Sequence, residues 1–103
     1  MKVLRKHHKY ELENFEGSEP QVVQFIEKEL KLGGEPGELV TVNDGTTNEE
    51  LLKVLINRMN GMQEKFRCRE YSIVITKLEE SLLWLEKRTS DRKLRGAEGK
   101  HLK

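Results

Sequence analysis

Between Cys68 and Leu85 the chain reads CREYSIVITKLEESLLWL, with apolar residues at Tyr71, Val74, Ile75, Leu78, Leu82 and Leu85. Steps of three and four place these in one stripe along an α-helix. Ile73, Leu83 and Trp84 add a second apolar line beside it. A lone surface helix of a small monomer does not need so wide an apolar surface. Either a preceding helix together with a sheet covers it, or a second copy of the chain does.

A preceding helix is present in the pattern. Thr47-Asn48-Glu49-Glu50 has the form of a capping box, a hydroxyl for an orphan backbone donor and a glutamate reaching back. The helix it opens runs to about Lys65, with its stripe at Leu52, Leu55, Met59, Met62 and Phe66. Leu51, Val54 and Ile56 broaden that stripe. Gly61 sits mid-helix at a cost of about 1 kcal/mol against alanine, which a close helix-to-helix approach would explain. Arg67-Cys68 is a short connection, and the second helix extends to about Thr89. Two helices joined so tightly are antiparallel neighbours.

Upstream the period changes to two. Residues 8–16, HKYELENFE, read as a half-exposed strand. Gly17-Ser18-Glu19-Pro20 is a turn. Residues 21–28, QVVQFIEK, are rich in β-branched and aromatic side chains and read as a strand, with a short helix as the alternative. Gly33 to Gly37 is a loop. Glu38 to Val42 is a further strand. At Asn43-Asp44-Gly45 the chain turns, with Gly45 free to take positive φ. The order is β-β-β-α-α, an α+β fold of antiparallel strands followed by a two-helix hairpin that oligomerises through the hairpin. A chain of 103 residues is expected to be one domain. Its parts are a β-rich segment (1–45), the hairpin (46–89) and a basic tail (90–103). Arg88 to Arg95 can continue the second helix.

With 35% hydrophobic and 36% charged residues, the chain buries a modest core, and self-association would help it. A net charge of +1 argues against a bulk polyanion binder. The charge is segregated, however. Residues 1–10 carry four bases and no acid, residues 11–53 eleven acids against three bases, and residues 86–103 seven bases against three acids. The single cysteine, Cys68, permits no intrachain disulfide and fits a reducing cytoplasm. No run approaches the ~18 apolar residues of a membrane span. No apolar core follows the basic N-terminus, so no secretory signal is expected.

Few residues form a chemical set. His7 and His8 are adjacent and His101 is distant, which is not a metal-ligand spacing. Cys68 lies between Arg67 and Arg69, whose guanidiniums would favour a thiolate, but a small buried turn residue is the simpler reading. Glu49-Glu50 and Glu79-Glu80 read as the wet sides of amphipathic helices. The chain has no P-loop, GxGxxG, GxSxG or HExxH. No cofactor and no metal are expected, and an enzyme lacks its nucleophile and base. Arg88, Arg92 and Arg95 recur at steps of four and three. Planar guanidinium forks on one face, near an exposed aromatic, suit a small phosphorylated ligand with a flat base. A solvated basic helix end explains them equally well.

At these residues the chain resembles a known family. The run DGTTNEELLKVLINR (44–58) leads to KFRCRE (65–70), ITKLEESLLWL (75–85), RTSDR (88–92) and RGAEG (95–99). Together these blocks look like the phage Thoeris anti-defence sponges of the first type. That family shares its helical hairpin with the phage anti-CBASS cyclic-nucleotide sponges. The resemblance covers roughly residues 38–103. It implies a protein of the infected bacterial cytoplasm that breaks no bond. Such a protein binds a cyclic nucleotide alarm, glycocyclic ADP-ribose or a cyclic di- or trinucleotide, and withholds it from the host effector. It also implies homodimers that assemble into hexamers as trimers of dimers.

By the same resemblance, Phe66 is a base-stacking platform and Arg69 stands at the hairpin mouth. Arg88 and Arg92 clamp the pyrophosphate, and Thr76, Lys77 and Asp91 make polar contacts to ribose or base. Arg95, Gly99 and Leu102 line a second site where subunits meet. Family members often carry proline where this chain has Arg67. The competing expectation is a small phage accessory protein that binds nucleic acid or a host protein through its basic tail.

Overall fold

The computed structural model describes residues 1–96. The chain forms two compact units, one from Met1 to Thr47 and the other beginning at Asn48. Antiparallel strands precede a two-helix hairpin, so the α+β reading holds.

In the first unit, β1 (Lys2–Arg5), β2 (Lys9–Leu12) and β3 (Gln21–Gln24) form a three-stranded sheet with β2 in the middle. All its pairs are antiparallel, and Val3, Tyr10 and Val23 lie across from one another in one row. Strand β1 was not anticipated. It is four residues long and largely exposed, so its apolar pattern is too short to register. The β1–β2 turn places His7 at φ 68°, and the His8 N–H closes it on the Arg5 carbonyl at 3.0 Å.

Residues 21–28, expected as one strand, divide into β3 and β4 (Glu27–Leu30), and β4 pairs antiparallel with β5 (Leu39–Asn43). The reason is a change of hydrogen-bonding partner at the junction. The Phe25 N–H donates to the His8 carbonyl at 2.7 Å, whereas the Ile26 N–H donates to the Thr46 carbonyl at 2.9 Å. The Thr46 N–H donates in turn to the Gln24 carbonyl at 2.8 Å. Tyr10 meets Phe25 edge to face, with ring centroids 6.0 Å apart.

Gly45 serves this junction, and not through positive φ as the turn chemistry had implied. A Cβ there would lie 2.5 Å from the Gln24 carbonyl oxygen and 2.6 Å from the Phe25 carbonyl carbon. Only a residue without a side chain lets the two segments come so close. Near one end of β4, Glu27 Oε1 gathers Arg5 Nε at 3.0 Å and Asn43 Nδ2 at 3.3 Å. The Arg5 contact is an ion pair out of hydrogen-bond alignment, for Nε and Nη2 are shielded from water without a hydrogen-bond acceptor among the described residues.

In the second unit, α1 (Asn48–Lys65) and α2 (Arg69–Leu94) pack as a hairpin. Thr47 immediately precedes α1, in the position of a cap. Tyr71, Ile75, Leu78, Leu82, Leu85 and Thr89 on α2 are half-buried, at alternating steps of four and three. Leu52, Ile56, Met59 and Gln63 are their half-buried counterparts on α1. Gln63 ties the helices together: its Nε2 donates to Ser72 Oγ at 2.6 Å, and its Oε1 accepts the Cys68 N–H at 3.0 Å. Helix α2 runs five residues beyond the expected end at Thr89, which carries Arg88 to Leu94 into regular helix.

Among the described residues no side chain is fully buried. Phe66, Leu83 and Trp84 are 65%, 66% and 70% exposed. Gly61 does not mark a close approach to α2, since a Cβ there would meet nothing within 4 Å. No helix among the described residues is long and apolar enough to cross a membrane.

Candidate functional site

Helix α2 places the candidate residues. Its 26 residues extend about 39 Å at 1.5 Å per residue. Cys68 precedes it with extended backbone and no side-chain cap. The half-buried thiol is the small turn residue of the simpler reading.

At the bend, Gln63, Arg67, Cys68, Arg69 and Ser72 line a shallow depression of about 460 Å³. It continues along α2 into a second depression of about 330 Å³ lined by Arg69, Ser72, Ile73, Thr76 and Lys77. Arg69, Thr76 and Lys77 are thus brought together, with Lys77 Nζ 3.9 Å from Glu80 Oε1. Phe66, at the end of α1, is exposed beside the same bend.

At the far end, Trp84, Lys87, Arg88, Asp91 and Arg95 line a depression of about 200 Å³. Lys87 Nζ holds Asp91 Oδ2 at 2.7 Å. The expected three-arginine face resolves into two environments. Arg88 and Arg95 are exposed and share the depression, whereas Arg92 is 7% exposed and does not line it. Seven residues are almost two full turns, so positions 88 and 95 align, and 92 is only about 40° from 88, so its burial comes from its surroundings and not from its phase. Gly99 and Leu102 lie outside the described residues.

The two clusters are separate within one protomer. Their outer members, Arg69 and Arg95, are roughly 39 Å apart along the helix, and their nearest members, Lys77 and Trp84, roughly 10 Å.

Two features escaped the reading of the sequence. A groove of about 580 Å³ along the hairpin flank is lined by Lys53, Ile56, Asn57, Asn60, Glu79, Leu82 and Leu83. Its signal was the helical spacing 53, 56, 57 and 60, which polar residues at three of the four positions disguised. The other is which aromatic accompanies the arginines: Trp84, four residues before Arg88, lines the depression with Arg88 and Arg95. Among the described residues no group of three or more His, Cys, Asp or Glu side chains is placed to hold a metal ion.

Residues 26–90, covering β4, β5, α1 and most of α2, match the family described as Acb2/Tad1, hairpin domain. The chain belongs to that family. Thoeris anti-defense 1 of Bacillus phage SBSphiJ7 is 44% identical to it over 79 residues, 65% of this chain and 56% of that protein. The chain therefore spans little more than half the length of that relative. The hairpin-domain match contains Phe66, Arg69, Thr76, Lys77, Trp84 and Arg88 and ends just before Asp91, Arg92 and Arg95.

Proposed function

We propose that this chain is a phage anti-defence protein that binds a cyclic nucleotide immune signal and withholds it, uncleaved, from the host effector in the infected cytoplasm. Glycocyclic ADP-ribose is the first candidate, with cyclic di- and trinucleotides next, so the systems opposed are Thoeris first and CBASS second. The observation that carries the proposal is membership of the hairpin-domain family together with a relative named for Thoeris anti-defence. The surface chemistry supports it. Exposed guanidiniums and aromatic rings occur in both parts of the hairpin: Arg69 follows the exposed Phe66 by three residues, and Arg88 and Arg95 line one depression with Trp84. Guanidiniums recognise phosphate oxygens in pairs, and aromatic faces take a base.

The exposed apolar residues of the hairpin favour sites completed by a second copy, in a homodimer and in a hexamer built from three dimers. Binding without chemistry is tested by incubating the protein with glycocyclic ADP-ribose, removing free ligand by filtration and heat-denaturing the complex. Intact ligand is expected in the released fraction. A degraded product, or no depletion of ligand from solution, overturns the proposal. Sedimentation at micromolar concentration is expected to give a multiple of 12.1 kDa.

A further inference from the structure

We infer that Trp84 is the platform on which the purine ring of the bound nucleotide stacks, with Arg88 and Arg95 taking its phosphates. The inference rests on the nucleotide reading above and adds to it a residue and a face of α2.

Trp84 is the one tryptophan of the chain and is 70% exposed. An indole left this open on a helix is a large apolar surface awaiting a partner. Its neighbours say what kind. Arg88 is one turn on, so the two side chains are adjacent on the surface. Arg95 is two turns beyond Arg88 on the same side, and both line the depression with Trp84. The other two lining groups neutralise each other, Lys87 being bound to Asp91 at 2.7 Å. Among the described residues neither Arg88 nor Arg95 has an ion-pair partner. The face therefore presents one flat aromatic surface and two uncommitted positive charges.

That combination selects its occupant. An apolar protein helix would cover the indole and strand two guanidiniums beneath it. An inorganic anion would satisfy the guanidiniums and leave the indole wet. A purine nucleotide meets both, its ring on the indole and its phosphates on the forks. At about 200 Å³ the depression receives one face of a base and does not enclose a whole nucleotide. Phe66 lies 18 positions away in sequence, near the opposite end of α2, so it cannot be the platform for the same ring in the same protomer. Each chain then offers two aromatic platforms, one at each end of the hairpin.

With a single tryptophan, fluorescence excited at the red edge, where the two tyrosines do not absorb, reports from this site alone. The full chain is titrated with glycocyclic ADP-ribose while emission is followed, and binding is measured in parallel by equilibrium dialysis. Saturable quenching with the dialysis midpoint is expected, and inorganic pyrophosphate at the same concentrations leaves emission unchanged. Loss of base stacking in Trp84→Ala weakens binding about 5- to 150-fold, while Trp84→Phe binds nearly as the parent does. Circular dichroism and sedimentation of both variants are expected to match the parent. Dialysis showing tight binding with constant emission, or with Trp84→Ala unaffected, overturns the role of Trp84 and leaves the nucleotide reading standing. A parent chain that binds nothing in dialysis overturns both. A Trp84→Ala variant of lower mass, beside parent emission indifferent to ligand, makes Trp84 a contact between copies and overturns the inference.

Discussion

Gly45 and Gly61 show how differently the two units are held together. Gly45 lets two backbones of the strand unit meet, and a single methyl group would intrude on the main chain at Gln24 and Phe25. Gly61 sits in the middle of α1 facing open space. The strand unit depends on main-chain hydrogen bonds that change partner between Gln24 and Ile26, where nothing can shift cheaply. The hairpin depends on half-buried side chains and leaves much of its outer surface unused. The first unit is thus sensitive to backbone geometry, and the second to what touches its side chains.

Substitutions can break or sharpen that contrast. The largest effect is expected from Gly45→Ala, a loss of about 2 kcal/mol of unfolding free energy in urea, because the obstructing atoms are backbone. An unaltered midpoint would mean that the junction is softer than its hydrogen bonds imply. Leu78→Ala removes a half-buried contact from the α2 stripe and is expected to cost about 1.5 kcal/mol, followed by helical circular dichroism. Gly61→Ala carries the opposite sign, a gain of about 1 kcal/mol from helix propensity. A loss at Gly61 would instead reveal another copy pressed against the outer face of α1. The smallest change is expected from Asp91→Asn, which removes an exposed i,i+4 pair worth about 0.3 kcal/mol. Repeating that melt in 1 M salt should erase the difference.

The two ends of α2 offer a comparable contrast for ligand recognition. The bend is braced by Gln63, whose amide bonds both Ser72 and the Cys68 N–H, so Arg69 projects from a fixed corner. At the far end Trp84 and Arg88 are set one turn apart by α2, and Arg95, its C-cap, lines the same depression.

Periodicity by itself determined the hairpin. Both helices, their antiparallel order and, Val74 apart, the stripe from Tyr71 to Leu85 follow from spacing along a single element, which is local information. The α+β class followed as well, from the change of period upstream. The tertiary structure alone decided the division of residues 21–28 into two strands, because the partners of Phe25 and Ile26 are His8 and Thr46, both about twenty residues away or nearly so. It also decided the role of Gly45, which depends on what lies opposite, and the separation of Arg92 from Arg88 and Arg95. All three arginines have the same chemistry and nearly the same helical phase. Burial differs among them because it is a property of the surroundings, which helical spacing does not encode.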